Sequence, residues 1–540
     1  MKKVIIVIIV IMLMLLAACK DDNKEGKKPS MGKESKSSLF YQNITANHGA
    51  DPFILYCSEG KYEGNFYMYV TSIDLNSKGF NVYRSKDLTN WQKADIAFMP
   101  EGTSWGSSKL WAPEVIEEDG IYYLFYSAQW GAKDYVFYIS VATSTNPVGP
   151  FVEYSSDIKS VMEPLIQFEK HLNEIPKELR SDLVGHTGEK GYIKVIDGSP
   201  FVDPLTGKKY LYLIADIGTD YTVASFVMAM EMEDWLTPKY ETLTRITEYA
   251  KTEVGGSEMI IEGGNTNEGC SVYYYEGTYY LTFSTFTYYT SEYQVRQAVS
   301  NNPLGPFTKI DPKDGGTVIS TEAGNIRQSA GHSAFFTVGD ELWLSYHSFF
   351  NDLDIKDGRK PAVERLVLVK NSKGQIVMQA NGPTTTPQYL PKALTGYGNI
   401  ALEATVTCNN AVKGYSVDLV NDGFIPLRRN APVGEFNLAA GKSEITLIFS
   451  NTRRVRAVII YNSIYENKRF EKIKSITING NQKLKFKDQK YDTSLYEEDG
   501  KIALDQAIIV TFEEMEANSI TITFDSKNVI GIPEIVILGK

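Results

Sequence analysis

Three carboxylates stand where a sheet, not a loop, would hold them. Asp51 opens the run Asp-Pro-Phe-Ile-Leu-Tyr, Asp197 follows Val195-Ile196 and precedes Gly198-Ser199-Pro200-Phe201, and Glu268 opens Glu-Gly-Cys-Ser-Val-Tyr-Tyr-Tyr. Asp is a poor strand residue, so an Asp fixed at the start of an apolar run marks either a turn or a side chain placed deliberately at a strand end. Carboxylates gathered in one place divide into an ionised base and a protonated acid, because each negative neighbour raises the proton affinity of the next. That chemistry requires residues more than two hundred positions apart to meet.

The elements that could bring them together repeat along the chain. Asn267 to Ser284 reads as strand, Glu276-Gly277 turn and aromatic strand, a strong hairpin signal. Its second half recurs after Gly64 (Asn-Phe-Tyr-Met-Tyr-Val), Gly120 (Ile-Tyr-Tyr-Leu-Phe-Tyr), Gly207 (Lys-Lys-Tyr-Leu-Tyr-Leu) and Gly339 (Asp-Glu-Leu-Trp-Leu-Ser). A second echo pairs Asn146-Pro-Val-Gly-Pro-Phe with Asn302-Pro-Leu-Gly-Pro-Phe. Five such units at this period predict an all-β fold, a five-bladed β-propeller, with a large β-sandwich as the alternative. In a propeller the first strand of each blade lines the central channel, so Asp51, Asp197 and Glu268 are expected at one relative place around it.

At this point the chain resembles glycoside hydrolase family 43. The resemblance rests on Ala50-Asp51-Pro52-Phe53, Ser85 to Trp91, Trp111-Ala112-Pro113-Glu114, Ile196 to Phe201, Glu268-Gly269 ahead of Tyr279-Tyr280-Leu281, Gly331-His332-Ser333 and Asn381 to Thr384, in order over roughly residues 40 to 390. It implies a propeller that hydrolyses glycosides with inversion, with Asp51 as general base, Asp197 as pKa modulator and orienter, and Glu268 as general acid. Inversion needs a base and an acid roughly 6.5 to 9.5 Å apart, and opposite sides of a channel supply that gap. Cys270 stands where the family usually has Pro, and Glu262 in Ile260-Ile261-Glu262-Gly263 is a competing acid. Trp111 is expected to wall a sugar site or to pack between blades. His332 matches a histidine that stands near a channel-bound calcium held through water, a structural histidine being the alternative. Arg365 is expected to reach a sugar hydroxyl or to balance the carboxylates, a solvated or Glu-paired arginine being the plainer alternative. No cofactor is required.

The rest of the chain sets the context. Acidic residues outnumber basic ones 66 to 55, a net charge of -11, which argues against a nucleic-acid partner. Lys2-Lys3, the apolar run Val4 to Ala18 and Leu16-Ala17-Ala18-Cys19 read as a lipoprotein signal over residues 1–19, with Cys19 lipidated and a polar tether over 20–38. The expected location is therefore the bacterial outer membrane, surface-facing because Asp21-Asp22 resemble a surface-export signal, with a periplasmic face as the alternative. Cys57, Cys270 and Cys408 form no metal or disulfide spacing. The propeller is expected over 39–390, with an insertion at about 156–190 in which Val161, Leu165, Phe168 and Leu172 fall on one helical stripe. Short β segments from Ile445 to Leu538 predict an antiparallel β-sandwich (jelly roll) over 391–540, similar to galactose-binding-like modules, as a carbohydrate binder or a structural partner. The functional expectation is hydrolysis of arabinose-, xylose- or galactofuranose-containing polysaccharide or oligosaccharide, α-L-arabinofuranosides first. The alternatives are a non-catalytic glycan-binding propeller and a retaining fructoside hydrolase, although Ala50 stands where the latter has Asn before its Asp.

Overall fold

Each aromatic strand read from the sequence is the second strand of an antiparallel blade. The computed structural model describes residues 39–43, 49–71, 79–100, 105–106, 108–130, 136–153, 163–184, 191–219, 222–247, 266–351, 353, 358–480, 485–490, 497–498 and 501–540. Blade one is Ala50–Cys57, Asn65–Thr71, Phe80–Ser85 and Gln92–Phe98 in simple sequence order. Blade two is built on Ser108–Glu118, Ile121–Gln129 and Phe137–Ser144, and blade three on Gly191–Val202, Lys209–Thr219 and Thr222–Asp234. These two blades share one continuous sheet through a parallel contact between Lys194 and Phe137. Blade four is built on Glu268–Tyr275, Thr278–Thr285 and Gln294–Ser300. Blade five is Arg327–Val338, Glu341–Phe350, Lys360–Lys370 and Ile376–Ala380. The chain is thus a five-bladed β-propeller followed by a β-sandwich.

Tyrosine rings fill the spaces between blades and their hydroxyls tie one blade to the next. Tyr69 of blade one donates to the Pro147 carbonyl and Tyr212 of blade three to the Pro303 carbonyl. Both acceptors lie in the repeated Asn-Pro-x-Gly-Pro turn, where Asn146 and Asn302 fold their side chains onto the amides of Val148 and Leu304. This is an Asx turn, which explains why Asn recurs at its head. The ring closes where Phe40–Tyr41 pairs with Gln388–Tyr389, and Asn43 both donates to and accepts from the Val363 backbone at 2.8 and 2.9 Å.

The insertion differs from its expected form. Val161 lies outside the described residues, and in place of a helix over the rest of the stripe there is a single 3-10 turn, Phe168–Lys170. Pro164 breaks the pattern, and Ile166 instead bridges Ile139 in an extended conformation. A short α-helix follows at Lys177–Val184, after Pro176. Ile166, Phe168, Ile175, Leu179 and Leu183 join the core of blades two and three, so the insertion is a packed buttress.

The sandwich is organised by two long partners, Gly441–Tyr461 and Ala507–Ser526, paired antiparallel from end to end. Segments that read as separate strands, Ile445 to Phe449 and Val455 to Tyr461, are one strand with a register shift between Ile448 and Arg453. Its core is aliphatic, with Ile445, Leu447, Ile460, Ile476, Ile520, Ile522 and Ile537 fully buried or nearly so.

A strap from the sandwich, residues 501–506, grips blade five. Ile502 and the segment Gly324–Ile326 exchange backbone hydrogen bonds of 3.0 Å, and Lys501 donates to the Asn351 carbonyl. Asp505, buried, accepts through one carboxylate oxygen from Thr385 N–H (2.9 Å), Thr386 N–H and hydroxyl (2.8 Å each) and the Gln388 amide (3.1 Å). Farther round, Asn381 holds both the Gly423 carbonyl and the Ile425 amide. Among the described residues no helix is long and apolar enough to cross a membrane.

Candidate active site

All five first strands carry the same irregularity. The register with the second strand slips after Ala50, Trp111, Ile196, Glu268 and Gly331. The next residue in each case has a left-handed backbone: Asp51 (φ 50), Ala112 (45), Asp197 (56), Gly269 (59) and His332 (51). A bulge of this kind re-aims a side chain, and a non-glycine residue in that region costs on the order of 1–3 kcal/mol unless its surroundings hold it.

What holds it is a hydrogen bond from the bulge amide to a side chain on the neighbouring blade's second strand. The amide of Ala112 donates to Thr71 (2.7 Å), that of Asp197 to Ser127 (2.9 Å), that of His332 to Ser284 (2.7 Å) and that of Asp51 to His347 Nδ1 (3.2 Å). Each acceptor sits opposite the residue before the bulge in its own blade. In blade three that place is taken by Ile214, opposite Ile196. The amide left over, that of Gly269, donates instead to Asp197 Oδ2 at 3.0 Å.

The bulges set the acids at two levels, which the sequence reading did not foresee. Asp51 and Asp197 are themselves bulge residues, whereas Glu268 lies one position earlier and Gly269 takes the bulge. A glycine is required there, because a Cβ on Gly269 would lie 2.8 Å from the His332 ring. Trp111 occupies the same position in blade two as Glu268 in blade four. It stacks on Phe137 with centroids 4.2 Å apart, and Lys194 lies 5.7 Å over its ring.

The electrostatics separate the acids. Asp51 is buried, which alone would raise its pKa, but His332 and Arg359 outweigh burial and hold it well below the usual carboxylate range. Arg359 Nη1 is 3.1 Å from Asp51 Oδ1, and the Nδ1 atoms of His332 and His347 are each 3.2 Å from the same oxygen. His347 is fully enclosed, and burial together with the Arg359 cation pushes it down to about 3, so it is neutral. We place its proton on Nε2, since Nδ1 accepts the Asp51 amide in the pattern the other blades follow.

Glu268 is driven the other way. Burial and then the Asp197 charge raise its pKa, and the Tyr293 hydroxyl donates to its Oε1 at 2.7 Å. Tyr293 is stacked on His347, centroids 5.7 Å apart, so the residue orienting the acid leans on the one supporting the base. Asp197 is raised by burial and by Asp51, with His332 opposing. Glu114 is pushed up to about 8 by burial, countered by a hydrogen bond with Ser199 and reinforced by the Asp197 charge. Cys270 is a buried thiol raised well above its ordinary value by burial, and is inert at neutral pH.

One sequence expectation changes here. Arg365 does not join the carboxylates: it pairs with Glu341 at 2.7 Å and lies over the Tyr389 and Trp343 rings, on the ring-closing side of blade five. Arg359 lies six positions earlier, just before the strand Lys360–Lys370 that carries Arg365, roughly 20 Å of extended chain away. Arg359 is the arginine at the site, and no spacing in the sequence distinguished it. The calcium expected through water near His332 is not confirmed: His332 Nδ1 lies against Asp51, and among the described residues no three His, Cys, Asp or Glu side chains are grouped to hold a metal directly. Glu262 lies outside the described residues.

Residues 41–166 and 181–371, more than half of the chain, match Glycosyl hydrolases family 43, and the chain belongs to that family. The gap in the match falls on the buttress. The chain is 34% identical over 80 residues to the extracellular exo-alpha-(1->5)-L-arabinofuranosidase ArbA of Cellvibrio japonicus, covering 13% of this chain and 23% of that one. It is 30% identical over 87 residues to a xylosidase/arabinosidase of Bacteroides ovatus, 16% of this chain and 26% of the relative. The chain thus spans about a quarter of the length of these two curated relatives. In structure it is similar to a thermostable family-43 glycoside hydrolase, with a TM-score of 0.51 and 25% identity over 64% of this chain and 98% of that one.

Proposed function

We propose that the chain is an inverting glycoside hydrolase acting on arabinose-containing polysaccharides or oligosaccharides, with α-L-arabinofuranosides as first substrates, ahead of xylosides and galactofuranosides. The observation that carries this reading is the opposite tuning of two buried carboxylates in one ring, Asp51 downward and Glu268 upward. In the reaction a water lies against Asp51, which removes its proton as the oxygen bonds to the anomeric carbon. The bond from that carbon to the leaving oxygen breaks, and Glu268 gives that oxygen its proton. Asp197 keeps Glu268 protonated and Tyr293 orients it. The names of the two curated relatives support arabinosides and xylosides as the substrate class.

A panel of nitrophenyl glycosides, with proton NMR of the first product anomer, tests this. Hydrolysis of the arabinofuranoside with inverted product is expected. Retention would move the assignment to a double-displacement enzyme, and no turnover on any glycoside would make the propeller a glycan binder. The same reading places the protein on the outer membrane through Cys19, a residue outside the described ones. Cys19→Ala should release it into the soluble periplasmic fraction, and unchanged membrane fractionation would defeat the anchor.

A further inference from the structure

One aromatic ring beside the catalytic carboxylates is left uncovered. The second strand of blade four, Thr278–Thr285, ends one residue past Ser284, which is paired with Glu268. The loop 286–293 that leads on to the third strand therefore stands at the same end of the blade as the acid. Tyr293 closes this loop and donates to Glu268, so one end of it already serves the site. In its middle Tyr289 is 52% exposed, more than any other described Phe, Trp or Tyr side chain.

The ring is uncovered but held in place. Thr290 folds back on the loop, giving its N–H and its hydroxyl to the Thr287 carbonyl at 2.9 and 3.1 Å. Phe286 enters the turn with a left-handed backbone (φ 68), and Ser329 on the first strand of blade five donates its hydroxyl to the Tyr288 carbonyl. Tyr289 meets Tyr288 edge to face, with centroids 5.3 Å apart and planes at 83°. Tyr288 in turn lies over the Arg359 guanidinium at 4.2 Å, and Arg359 holds Asp51. Tyr289 is thus one ring away from the arginine on the base, in the loop whose last residue orients the acid. A ring left in water gains the fold little by burial, and one fixed there is a surface already formed for a ligand.

We infer that Tyr289 is the platform for the sugar unit on the leaving side of the scissile bond. On the proposed reading the unit being cleaved lies between Asp51 and Glu268, with its leaving oxygen against Glu268. The next unit of the glycan then lies on the Glu268 side, where the loop of the same blade presents Tyr289. A sugar ring carries a face of C–H groups, and stacking that face on an aromatic ring removes apolar surface from both while the hydroxyls stay in water. The contact is with a part of the substrate that does not react, so it keeps the reacting bond aligned with base and acid. The inference rests on the proposed hydrolysis and adds the nature of the leaving group, a sugar unit in place of a small alcohol.

The test compares hydrolysis of arabinotriose with that of methyl α-L-arabinofuranoside by the full chain, or the corresponding pair for whichever glycoside the wild type hydrolyses. A methyl leaving group offers no ring to stack, whereas a nitrophenyl group would. In Tyr289→Ala, kcat/KM on the trisaccharide relative to the methyl glycoside is expected to fall by about tenfold or more, while Tyr289→Phe keeps the wild-type ratio. The ratio is the readout because a mere loss of support for Tyr288 and Arg359 would lower both substrates alike. Equal losses on the two substrates, or no loss on either, overturn the inference while the hydrolytic function stands. A wild type that hydrolyses neither member of any pair removes the proposed function, and this inference with it.

Discussion

Asp197 Oδ2 accepts the backbone N–H of Gly269 at 3.0 Å, the one bulge amide that no second-strand side chain reaches. Thr71, Ser127, Ser284 and His347 serve the other four, and in blade three Ile214 has nothing to offer. The carboxylate between base and acid is thus also a structural member of the ring, replacing the acceptor that its own blade lacks. It fixes the strand residue next to Glu268 through the backbone.

This double duty separates two substitutions. Asp197→Asn keeps an oxygen for the Gly269 amide and removes the charge, so the fold should be retained while turnover falls by about 10²-fold or more. Since Asp197 raises the pKa of Glu268, its loss lowers that pKa, and the alkaline limb of kcat/KM should move to lower pH. Asp197→Ala also strands the buried amide and should cost about 1–3 kcal/mol in urea unfolding. Adding Ile214→Thr to it supplies a hydroxyl like that of Thr71, so the double variant should be less destabilised than the two single costs combined, with no return of activity. Strict additivity would sink the structural half of this account, and an unmoved alkaline limb the electrostatic half.

Arg359 governs the opposite limb. Its guanidinium lies 3.1 Å from Asp51 and 4.2 Å over the Tyr288 ring. It is one of the groups that hold Asp51 ionised, so Arg359→Gln raises the Asp51 pKa. A base must be ionised to work, and the acid limb of kcat/KM should therefore shift to higher pH, with the alkaline limb in place. A pH profile whose acid limb stays put would remove Arg359 from the tuning of the base.

The ring was legible in the sequence because blade hairpins are local. A Gly-centred turn followed by alternating aromatic residues announces a second strand wherever it occurs, and all five were found. The supporting residues were not legible, because they act across blades. His347 lies on a strand of blade five, while Tyr293 and Arg359 each stand just before a strand, in blades four and five, and all three acquire meaning only when the ring closes. The offset of Glu268 from the other acids was hidden for a related reason: a bulge is a property of pairing register, and a strand start gives no sign of it. In the sandwich, short segments merge into longer strands. Ser450-Asn451-Thr452 looks like a turn, but the long partner Ala507–Ser526 carries the pairing past it.

Glu114 is expected to make stability depend on pH. Burial raises its folded-state pKa to about 8 from an ordinary 4.5. Between those values the folded chain holds a proton that the unfolded chain has released, so its contribution is complete below about pH 4.5 and is lost as pH rises toward 8. Glu364, pushed up to about 8 by burial against its Thr384 and Tyr346 hydrogen bonds, adds to the same slope. Glu114→Gln should flatten the fall in unfolding free energy between pH 5 and pH 8 by on the order of 2 kcal/mol, without abolishing it. Urea melts at the two pH values measure this, and parallel losses in wild type and variant would show that Glu114 is ionised in the folded chain.

Asp505 decides whether propeller and sandwich unfold together. Its buried carboxylate gathers donors from Thr385, Thr386 and Gln388, the segment that pairs with the N-terminal strand to close the ring. The adjoining Ile502 pairs with Asn325 at the entry to blade five. Removing the acceptor leaves several donors unpaired in a dry interface, so Asp505→Ala should cost about 2–4 kcal/mol, whereas Asp505→Asn, which keeps an oxygen, should cost less. Because the strap joins the sandwich to the closure itself, calorimetry of the wild type should show one transition. In Asp505→Ala the propeller and the sandwich should melt at lower temperature together. A wild-type trace with two well-separated transitions, or a variant in which only the sandwich is weakened, would mean that the strap rests on the ring without helping to close it.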